Sequence, residues 1–196
     1  IVVLGVIDVP INLPPHEGMR FVHHKTPLLK KAIEYGRGQG VETRSAIRIA
    51  HRVWDGILHT ADAERATLIL MGWKGYTTTR DRIMGEVTDK VVRHSPCDLI
   101  TVKLMGDRPV RRILLTAPGG PHATLAAEYV GILHDLEGLD VTCGFVVAPN
   151  ASENKREEAR QWIQKTIRLT HLEGKADQRL LEGRKVATTL VRAAAE

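Results

Sequence analysis

Three glycines, Gly72, Gly75 and Gly85, follow an apolar segment at residues 68–71, with two and nine residues between them. Glycine has no Cβ and tolerates positive φ, so its backbone amides can approach an anion closely. The residues after Gly85 have helical periodicity, and the first amides of a helix would point at the same place. The chemistry that this spacing indicates is phosphate binding, although three glycines could also only permit a tight turn between strand and helix.

Apolar, often β-branched segments alternate with segments of helical periodicity along the chain. Strands are predicted over residues 2–9, 43–49, 68–71, 99–102, 113–116 and 141–148. Helices are predicted after Thr26, over 51–63, after Gly85, and over 122–135, 153–170 and 186–195. This order predicts an α/β fold with a Rossmann-like parallel sheet and helices on both faces.

Three local predictions can be compared directly with a structure. Thr26 and Pro27 predict a helix start, because threonine caps helices and proline suits the first helical position. Residues 174–182 are predicted to be irregular or weakly extended. The inward residues of the helix over 122–135 are predicted to be Leu125, Tyr129, Ile132 and Leu133.

Composition and length limit the class of protein. The chain has 196 residues, a length that is enough for one large α/β domain or two small ones. Of these residues 43% are hydrophobic and 26% are charged, as in an ordinary soluble globular protein. No apolar run approaches the roughly 18 residues of a membrane span. The net charge of +5 is spread through the chain, and aromatic residues make up only 4%. We therefore interpret the basic charge as solvated surface and predict no nucleic-acid partner.

Cysteine and histidine show no metal-ligand spacing. Cys97 and Cys143 are isolated, without a CxxC pair, which favours a reducing, cytoplasmic compartment. The nine histidines are scattered, and no metal site is predicted. Asp55 lies near His51 and His59 on one helix, but no nucleophile accompanies them, so surface pairing is preferred over acid–base catalysis.

An internal repeat indicates two copies of one α/β unit. Residues 2–10, VVLGVIDVP, match residues 141–149, VTCGFVVAP, with Gly5 over Gly144. Residues 52–61 similarly match residues 185–194. The first copy lacks an opening strand and helix, and the second stops before any counterpart of the glycine loop. With a polar linker at residues 105–110, the predicted units are 1–104 and 111–196, and the chain ends suggest an excised piece.

The stretch from residue 68 to residue 102, with its G-x2-G-x9-G spacing, resembles the universal stress protein family. The segments VIDVP and RILLTAPGGPHATLAAEYV resemble it too. The resemblance implies a sheet of the adenine-nucleotide α-hydrolase type, and many members bind ATP. It also implies a homodimer. The MGWKG form, the tandem arrangement and the PGGPHA turn look most like universal stress domains fused to the cytoplasmic end of amino-acid or cation transporters.

Carrying the family's binding residues onto this sequence gives a candidate adenine-nucleotide site. Its members would contact phosphate through the glycines, Lys74 and two backbone amides, and the nucleoside through Met71 and the Val6 backbone. The full set is Val6, Met71, Gly72, Lys74, Gly75, Gly85, Glu86 and Val87.

Two departures from the family pattern weaken this site. The Asp that follows the first strand in the family is absent from the first copy, and the matching turn at residues 116–119 contains none. Glu86 stands where the family has a hydroxyl. A carboxylate about 4 Å from a phosphate oxygen is repelled by about 1 kcal/mol in water and about 4 kcal/mol at an effective dielectric of 20. Binding of ATP or AMP is therefore expected to be weak or absent, although Lys74, Arg80 and Arg82 could offset part of the repulsion.

The leading functional prediction is a non-enzymatic regulatory or dimerisation module with a degenerate adenine-nucleotide site. The resemblance implies that it is the cytoplasmic part of a membrane transporter, so the transporter's membrane domain is its expected partner in cis. One alternative is a free-standing ATP-binding universal stress protein. Another is an enzyme of the adenine-nucleotide α-hydrolase type, which would need a substrate pocket and positioned acid or base residues that the sequence does not show.

Overall fold

The computed structural model describes residues 1–73, 84–103, 106 and 109–196. The strands are β1 Val2–Asp8, β2 Arg44–Ala50, β3 Leu68–Gly72, β4 Asp98–Val102, β5 Arg112–Thr116, β6 Asp140–Val147 and β7 Asp177–Glu182. The α-helices are α1 Val22–Gly38, α2 Val53–Ala63, α3 Glu86–His94, α4 Pro121–Glu137, α5 Glu153–Leu169 and α6 Val186–Ala195, and a 3₁₀ helix spans Pro15–Phe21. None of the helices in these residues combines the length and apolarity needed to cross a membrane.

The chain divides into two compact units, Ile1–Asp107 and Arg108–Glu196. Among its described residues, unit 1 contains two sheets of two strands each, β1 with β2 and β3 with β4. Unit 2 contains one sheet of three strands in the order β5, β6, β7. Every strand pair in the described residues is parallel, with a helix between its two strands in the chain, so the predicted α/β class is confirmed.

Helices cover both faces of the β1–β2 sheet. A Cβ placed on Gly5 would lie 3.5 Å from the Cβ of Lys25 on α1, so odd-numbered residues of β1 face α1. A Cβ placed on Gly56 of α2 would lie 2.9 Å from Val6, so even-numbered residues of β1 face α2. This alternation is the normal consequence of the two-residue repeat of a strand.

The core of unit 2 lies between its sheet and helices α4 and α5. Leu115 and Val141 cluster with Ala127 and Val130 of α4. Next to them, Cys143 clusters with Ala117, Ile163 and Ile167. Burial raises the pKa of the Cys143 thiol to about 11, because the thiolate would lose its hydration there.

Helix α1 begins at Val22, four residues before the Thr26 cap that the sequence predicts. Thr26 is inside the helix, where its hydroxyl donates to the Val22 carbonyl at 3.1 Å instead of capping a free amide. Pro27 also lies inside α1. The prediction was wrong because the preceding 3₁₀ helix already sets helical geometry before Val22.

The inward face of α4 is made of small residues, and the prediction for this helix was wrong. Ala123, Ala127, Val130 and Gly131 are buried. Leu125 and Tyr129 are half-buried, and Ile132 and Leu133 are 53% and 43% exposed. The reason is close packing, since a Cβ on Gly131 would lie only 2.7 Å from the Thr170 carbonyl oxygen. Small residues therefore occupy the contact, and the larger ones are displaced outward.

Residues 177–182 form strand β7, although the sequence there reads as irregular or weakly extended. Its pattern DQRLLE carries three charged residues among its six, which hides the strand periodicity. β7 is an edge strand, paired only with β6 in the described chain, and charged side chains are common on such edges.

The two repeat matches have different outcomes. The match of 52–61 with 185–194 aligns two helix starts, because Arg52 and Lys185 are both extended residues that precede a helix. The pairing of Gly5 with Gly144 was wrong. Gly5 faces α1, whereas Gly144 faces Leu114 and Leu181 on neighbouring strands, and its neighbour Cys143 faces α5. Aligning the two glycines therefore pairs positions that face opposite sides of their sheets.

Substitution of Gly131 tests the close packing of α4. In an open helix Gly→Ala is stabilising, but here the added methyl would meet a backbone carbonyl, so we expect Gly131→Ala to lower the free energy of unfolding by about 1–3 kcal/mol. Gly38→Ala is the control, since a Cβ at Gly38 meets no described atom within 4 Å. It should leave stability unchanged or raise it by up to about 1 kcal/mol in urea unfolding. Equal effects of the two substitutions would contradict the close contact.

Candidate functional site

The described part of the predicted phosphate loop begins at the carboxyl end of β3. Met71 and Gly72 are the last two residues of the strand. The Trp73 amide donates to the Val102 carbonyl at 2.8 Å, which continues the pairing with β4 by one residue. Lys74 and Gly75, and also Arg80 and Arg82, lie outside the described residues.

Gly85 precedes α3 in a conformation that requires glycine. Its φ of 94° and ψ of 154° lie in a region that residues with a Cβ rarely adopt. Gly85 is the N-cap of the helix, as the sequence predicts, and its carbonyl accepts the Asp89 amide at 2.9 Å. The glycine is therefore needed for the entry into α3, whether or not a phosphate binds.

The first turn of α3 carries two carboxylates where a phosphate would have to bind. Glu86 is the first residue of the helix and is exposed. Asp89 accepts the Met84 amide through Oδ1 at 3.2 Å, which occupies one of the amides next to the helix start. Both side chains already use the favourable field at a helix N-terminus. Val87 follows Glu86 in the same turn and is half-buried.

Sequence reasoning identified Glu86 and missed Asp89. The Oδ2 atom of Asp89 is buried without a hydrogen-bond partner among the described residues. A carboxylate four residues after a helix-capping glycine was the available signal, because that spacing lets the side chain fold back over the helix start. Together the two acids make this end of α3 more repulsive to phosphate than Glu86 alone would.

Val6, the predicted adenine contact, lies in the interior of β1 and not in the sheet that holds Met71 and Gly72. It is the register partner of Arg48 on β2. Its side chain faces Gly56 on α2. The structure therefore brings Met71 with Gly72, and Gly85 with Glu86 and Val87, into two local groups, and places Val6 on a separate strand pair.

A cleft of about 600 Å³ lies at the carboxyl ends of β1 and β2, where ligands of parallel α/β sheets commonly bind. It is lined by Ile11, Pro15, Arg48, Ile49, Ala50, His51, Arg52, Trp54, Asp55, Gly56 and His59. Unit 2 has a smaller cleft of about 240 Å³ between Gly119, Gly120 and Trp162. Neither cleft is lined by a residue of the predicted nucleotide site.

The histidines near Asp55 form surface contacts. His59 Nδ1 lies 3.7 Å from Asp55 Oδ2, and the two side chains are 65% and 41% exposed. His51 Nδ1 lies 3.0 Å from the Val9 carbonyl oxygen, so it is held by the main chain. This arrangement agrees with surface pairing, which the sequence favours over acid–base catalysis.

Comparisons with known proteins agree with this fold. The sequence model of the universal stress protein family matches residues 1–103. The Na⁺/H⁺ antiporter NhaS5 of Synechocystis sp. (strain ATCC 27184 / PCC 6803 / Kazusa) is 28% identical over 156 residues, which are 78% of this chain and 22% of the antiporter. This chain therefore spans about a fifth of the length of that relative.

Two solved structures have the same fold over nearly the whole chain. The universal stress protein of Archaeoglobus fulgidus DSM 4304 is 15% identical with a TM-score of 0.66, over 99% of this chain and 70% of that one. A Pseudomonas aeruginosa UCBPP-PA14 protein assigned to the universal stress proteins is 16% identical with a TM-score of 0.58, over 99% of this chain and 77% of that one.

Removal of the Asp89 carboxylate tests its role at the start of α3. Because Asp89→Ala leaves the Met84 amide without its acceptor, we expect the free energy of unfolding to fall by about 1 kcal/mol. Urea unfolding in a Trp162→Phe background would report unit 1 through Trp54 and Trp73. Asp62→Ala, at an exposed position of α2, should change stability by less than about 0.5 kcal/mol. Equal losses in both variants would show that the Asp89 contact adds nothing.

Proposed function

The chain belongs to the universal stress protein family, and from this premise we propose that it is a non-enzymatic regulatory module of a membrane transporter. The observation that carries this proposal is its likeness to a Na⁺/H⁺ antiporter over 78% of its length, a stretch that makes up only 22% of the antiporter. A region that makes up about a fifth of an antiporter has the size of an appended module and is too small to be the transport domain. The described residues also contain no membrane-spanning helix, as an appended module requires.

We propose further that its adenine-nucleotide site binds ATP or AMP weakly or not at all. The site would consist of Val6, Met71, Gly72, Lys74, Gly75, Gly85, Glu86 and Val87, with the phosphates at the start of α3. The charge there opposes binding. Glu86 and Asp89 both lie in the first turn of α3, and Asp89 already accepts a backbone amide at 3.2 Å. Each carboxylate adds a repulsion of about 1–4 kcal/mol at about 4 Å from a phosphate oxygen.

The non-enzymatic part of the proposal is supported by the state of the reactive side chains. Cys143 is 1% exposed, and its raised pKa of about 11 keeps the thiol protonated near neutral pH. Asp55 and His59 form an exposed pair without a nucleophile beside them in the described chain. No group of three or more potential metal ligands occurs among the described residues.

A free-standing ATP-binding protein of the family is the second candidate. The glycine at the start of α3 is compatible with it, because a residue without a Cβ lets an anion approach a helix N-terminus closely. The two candidates differ in nucleotide affinity, and this can be measured.

Titration calorimetry with ATP, AMP and a cyclic dinucleotide tests the proposed weak site. We expect little or no heat from the unmodified chain. Glu86→Ser should tighten ATP binding at least tenfold, because it removes a negative charge and adds a hydroxyl donor. Glu34→Ser, at an exposed position of α1, is the matched control and should leave affinity unchanged.

Tight ATP binding by the unmodified chain would favour the free-standing candidate. If Glu86→Ser leaves the affinity for ATP unchanged, repulsion by the Glu86 carboxylate is not the cause of weak binding. Release of inorganic phosphate from ATP, measured on the same samples, would contradict the non-enzymatic assignment.

The transporter part of the proposal is tested in the NhaS5 antiporter itself. We expect deletion of the region that aligns with this chain to leave Na⁺/H⁺ exchange active in vesicles but to change its dependence on solution conditions. Replacement of that region by this chain should restore the original dependence. Identical exchange by the deleted, replaced and complete antiporters would overturn a regulatory role.

A further inference from the structure

The cleft of about 600 Å³ in unit 1 has more basic than acidic groups in its wall. Arg48 and Arg52 line it together with His51 and His59, and Asp55 is the single carboxylate among its described lining residues. Asp55 Oδ2 lies 3.7 Å from His59 Nδ1. Neither arginine forms an ion pair or a side-chain hydrogen bond with a described residue. The cleft therefore has two guanidinium groups that the described chain does not neutralise.

Both arginines lie at the amino end of α2, where a positive charge is unfavourable. Arg52 is the N-cap residue, and an arginine side chain has no acceptor for the free amides of the first helical turn. The Cγ atom of Arg48 lies 3.5 Å from a Cβ placed on Gly56, so the Arg48 side chain packs against that turn. Because a helix N-terminus is itself partially positive, the two cations oppose its field. An anion in the cleft would neutralise this arrangement.

Arg44 shows how the same strand treats an arginine with an internal role. It lies four residues before Arg48, and the two-residue repeat of a strand puts both side chains on the face that meets α2. The Arg44 guanidinium pairs with Glu64, the residue that follows the last turn of α2. The chain thus supplies a carboxylate for the arginine at the carboxyl end of α2 and none for the arginine at its amino end.

Unit 2 provides its own carboxylate at the corresponding end of its sheet. Glu182, the last residue of β7, accepts a hydrogen bond from Arg156 Nη1 at 2.6 Å. Arg156 also donates to the Pro149 carbonyl, at 3.1 Å, just after β6. In unit 1 the last two residues of β2 are Ile49 and Ala50, which carry no charge. The cation of unit 2 is therefore neutralised internally, whereas the cations of the unit 1 cleft are not.

The cleft also has an oriented histidine and an apolar side. His51 Nδ1 donates to the Val9 carbonyl at 3.0 Å, because a carbonyl can only accept, and this bond fixes the ring. The Arg52 guanidinium lies 5.9 Å from the centroid of the Trp54 ring, so a cation–π contact holds it there. The apolar side of the cleft is formed by Ile11, Pro15 and Trp54. Charged and apolar surfaces of this kind suit a ligand that has an anionic end and an organic end.

We propose that this cleft binds a phosphate monoester of a small organic molecule. Two arginines match the two negative charges of such a phosphate, and guanidinium groups bind phosphate oxygens in pairs. The organic group would lie against Trp54. A volume of about 600 Å³ is within the usual range of small-molecule sites. The inference does not depend on the glycine loop or on a transporter, since no residue of the predicted nucleotide site lines this cleft.

Titration of the complete chain with phenyl phosphate, followed by ¹H–¹⁵N NMR, tests the site. We expect saturable shifts of the amides of residues 51–56, with a Kd of about 1 mM or lower. Inorganic phosphate should bind more weakly because it lacks the organic group. Benzoate should bind at least tenfold more weakly because it has only one negative charge. The amides of residues 177–189 in unit 2 are the internal standard and should not shift.

Substitutions separate the cleft from general charge effects. Arg48→Gln and Arg52→Gln should each weaken phenyl phosphate binding at least tenfold, because each removes a charge-assisted contact. Arg37→Gln, at an exposed position of α1, removes the same charge elsewhere and should change the affinity less than twofold. Glu86→Ser should also leave this affinity unchanged. Arg48→Gln should not lower the thermal midpoint of the free protein, because it removes a cation from a helix N-terminus.

Four results would overturn the proposal. The first is the absence of saturable shifts at residues 51–56. The second is equal affinity of the Arg48→Gln and Arg37→Gln variants for phenyl phosphate, which would indicate unspecific attraction to a basic surface. The third is equal affinity for benzoate and phenyl phosphate, which would exclude recognition of a phosphate. The fourth is an affinity for phenyl phosphate that rises with Glu86→Ser, because the glycine loop would then be the binding site.

Discussion

The rest of this structure depends on the requirement that an interior parallel strand be covered on both faces and paired on both edges. Unit 2 meets it around β6, which has a strand on each side and α5 over Cys143, and the core residues there are nearly inaccessible. In the described residues of unit 1, β1 is paired only on its β2 side. The apolar residues of β3 lie in a strand pair with no buried member. The same kind of sequence is thus well packed in one unit and poorly covered in the other.

The second constraint is electrostatic and acts at the start of α3. A helix N-terminus attracts negative charge whether it comes from a ligand or from the chain itself. Here the chain supplies Glu86 and Asp89, and Asp89 accepts the Met84 amide just before the helix. The same two carboxylates that stabilise the helix start would therefore compete with any phosphate placed there. Because Gly85 caps the helix with a positive φ, this glycine is explained by the fold alone and is no proof of a ligand.

The sequence allowed the fold class and most elements to be predicted, because the buried strands are strongly apolar and the helices have clear periodicity. The failures have local causes. Thr26 and Pro27 imitate a helix start inside a helix that begins at Val22, and the charges of β7 hide its strand. The inward side of α4 was missed because close contact at Gly131 selects small residues, and that contact is formed with Thr170, which is distant in sequence.

The candidate site was predictable only as far as single residues. Gly85 and Glu86 were placed correctly at the head of α3, but the fold-back of Asp89 needs the structure. Val6 shows the larger limit, since it lies on a strand pair separate from Met71 and Gly72. Ligands of parallel sheets bind beyond the carboxyl ends of adjacent strands. Which strands lie next to each other is decided by tertiary packing, and the spacing of residues along the chain does not encode it. The charge of Glu86, by contrast, can be predicted from the sequence, because it belongs to one residue at the start of one helix.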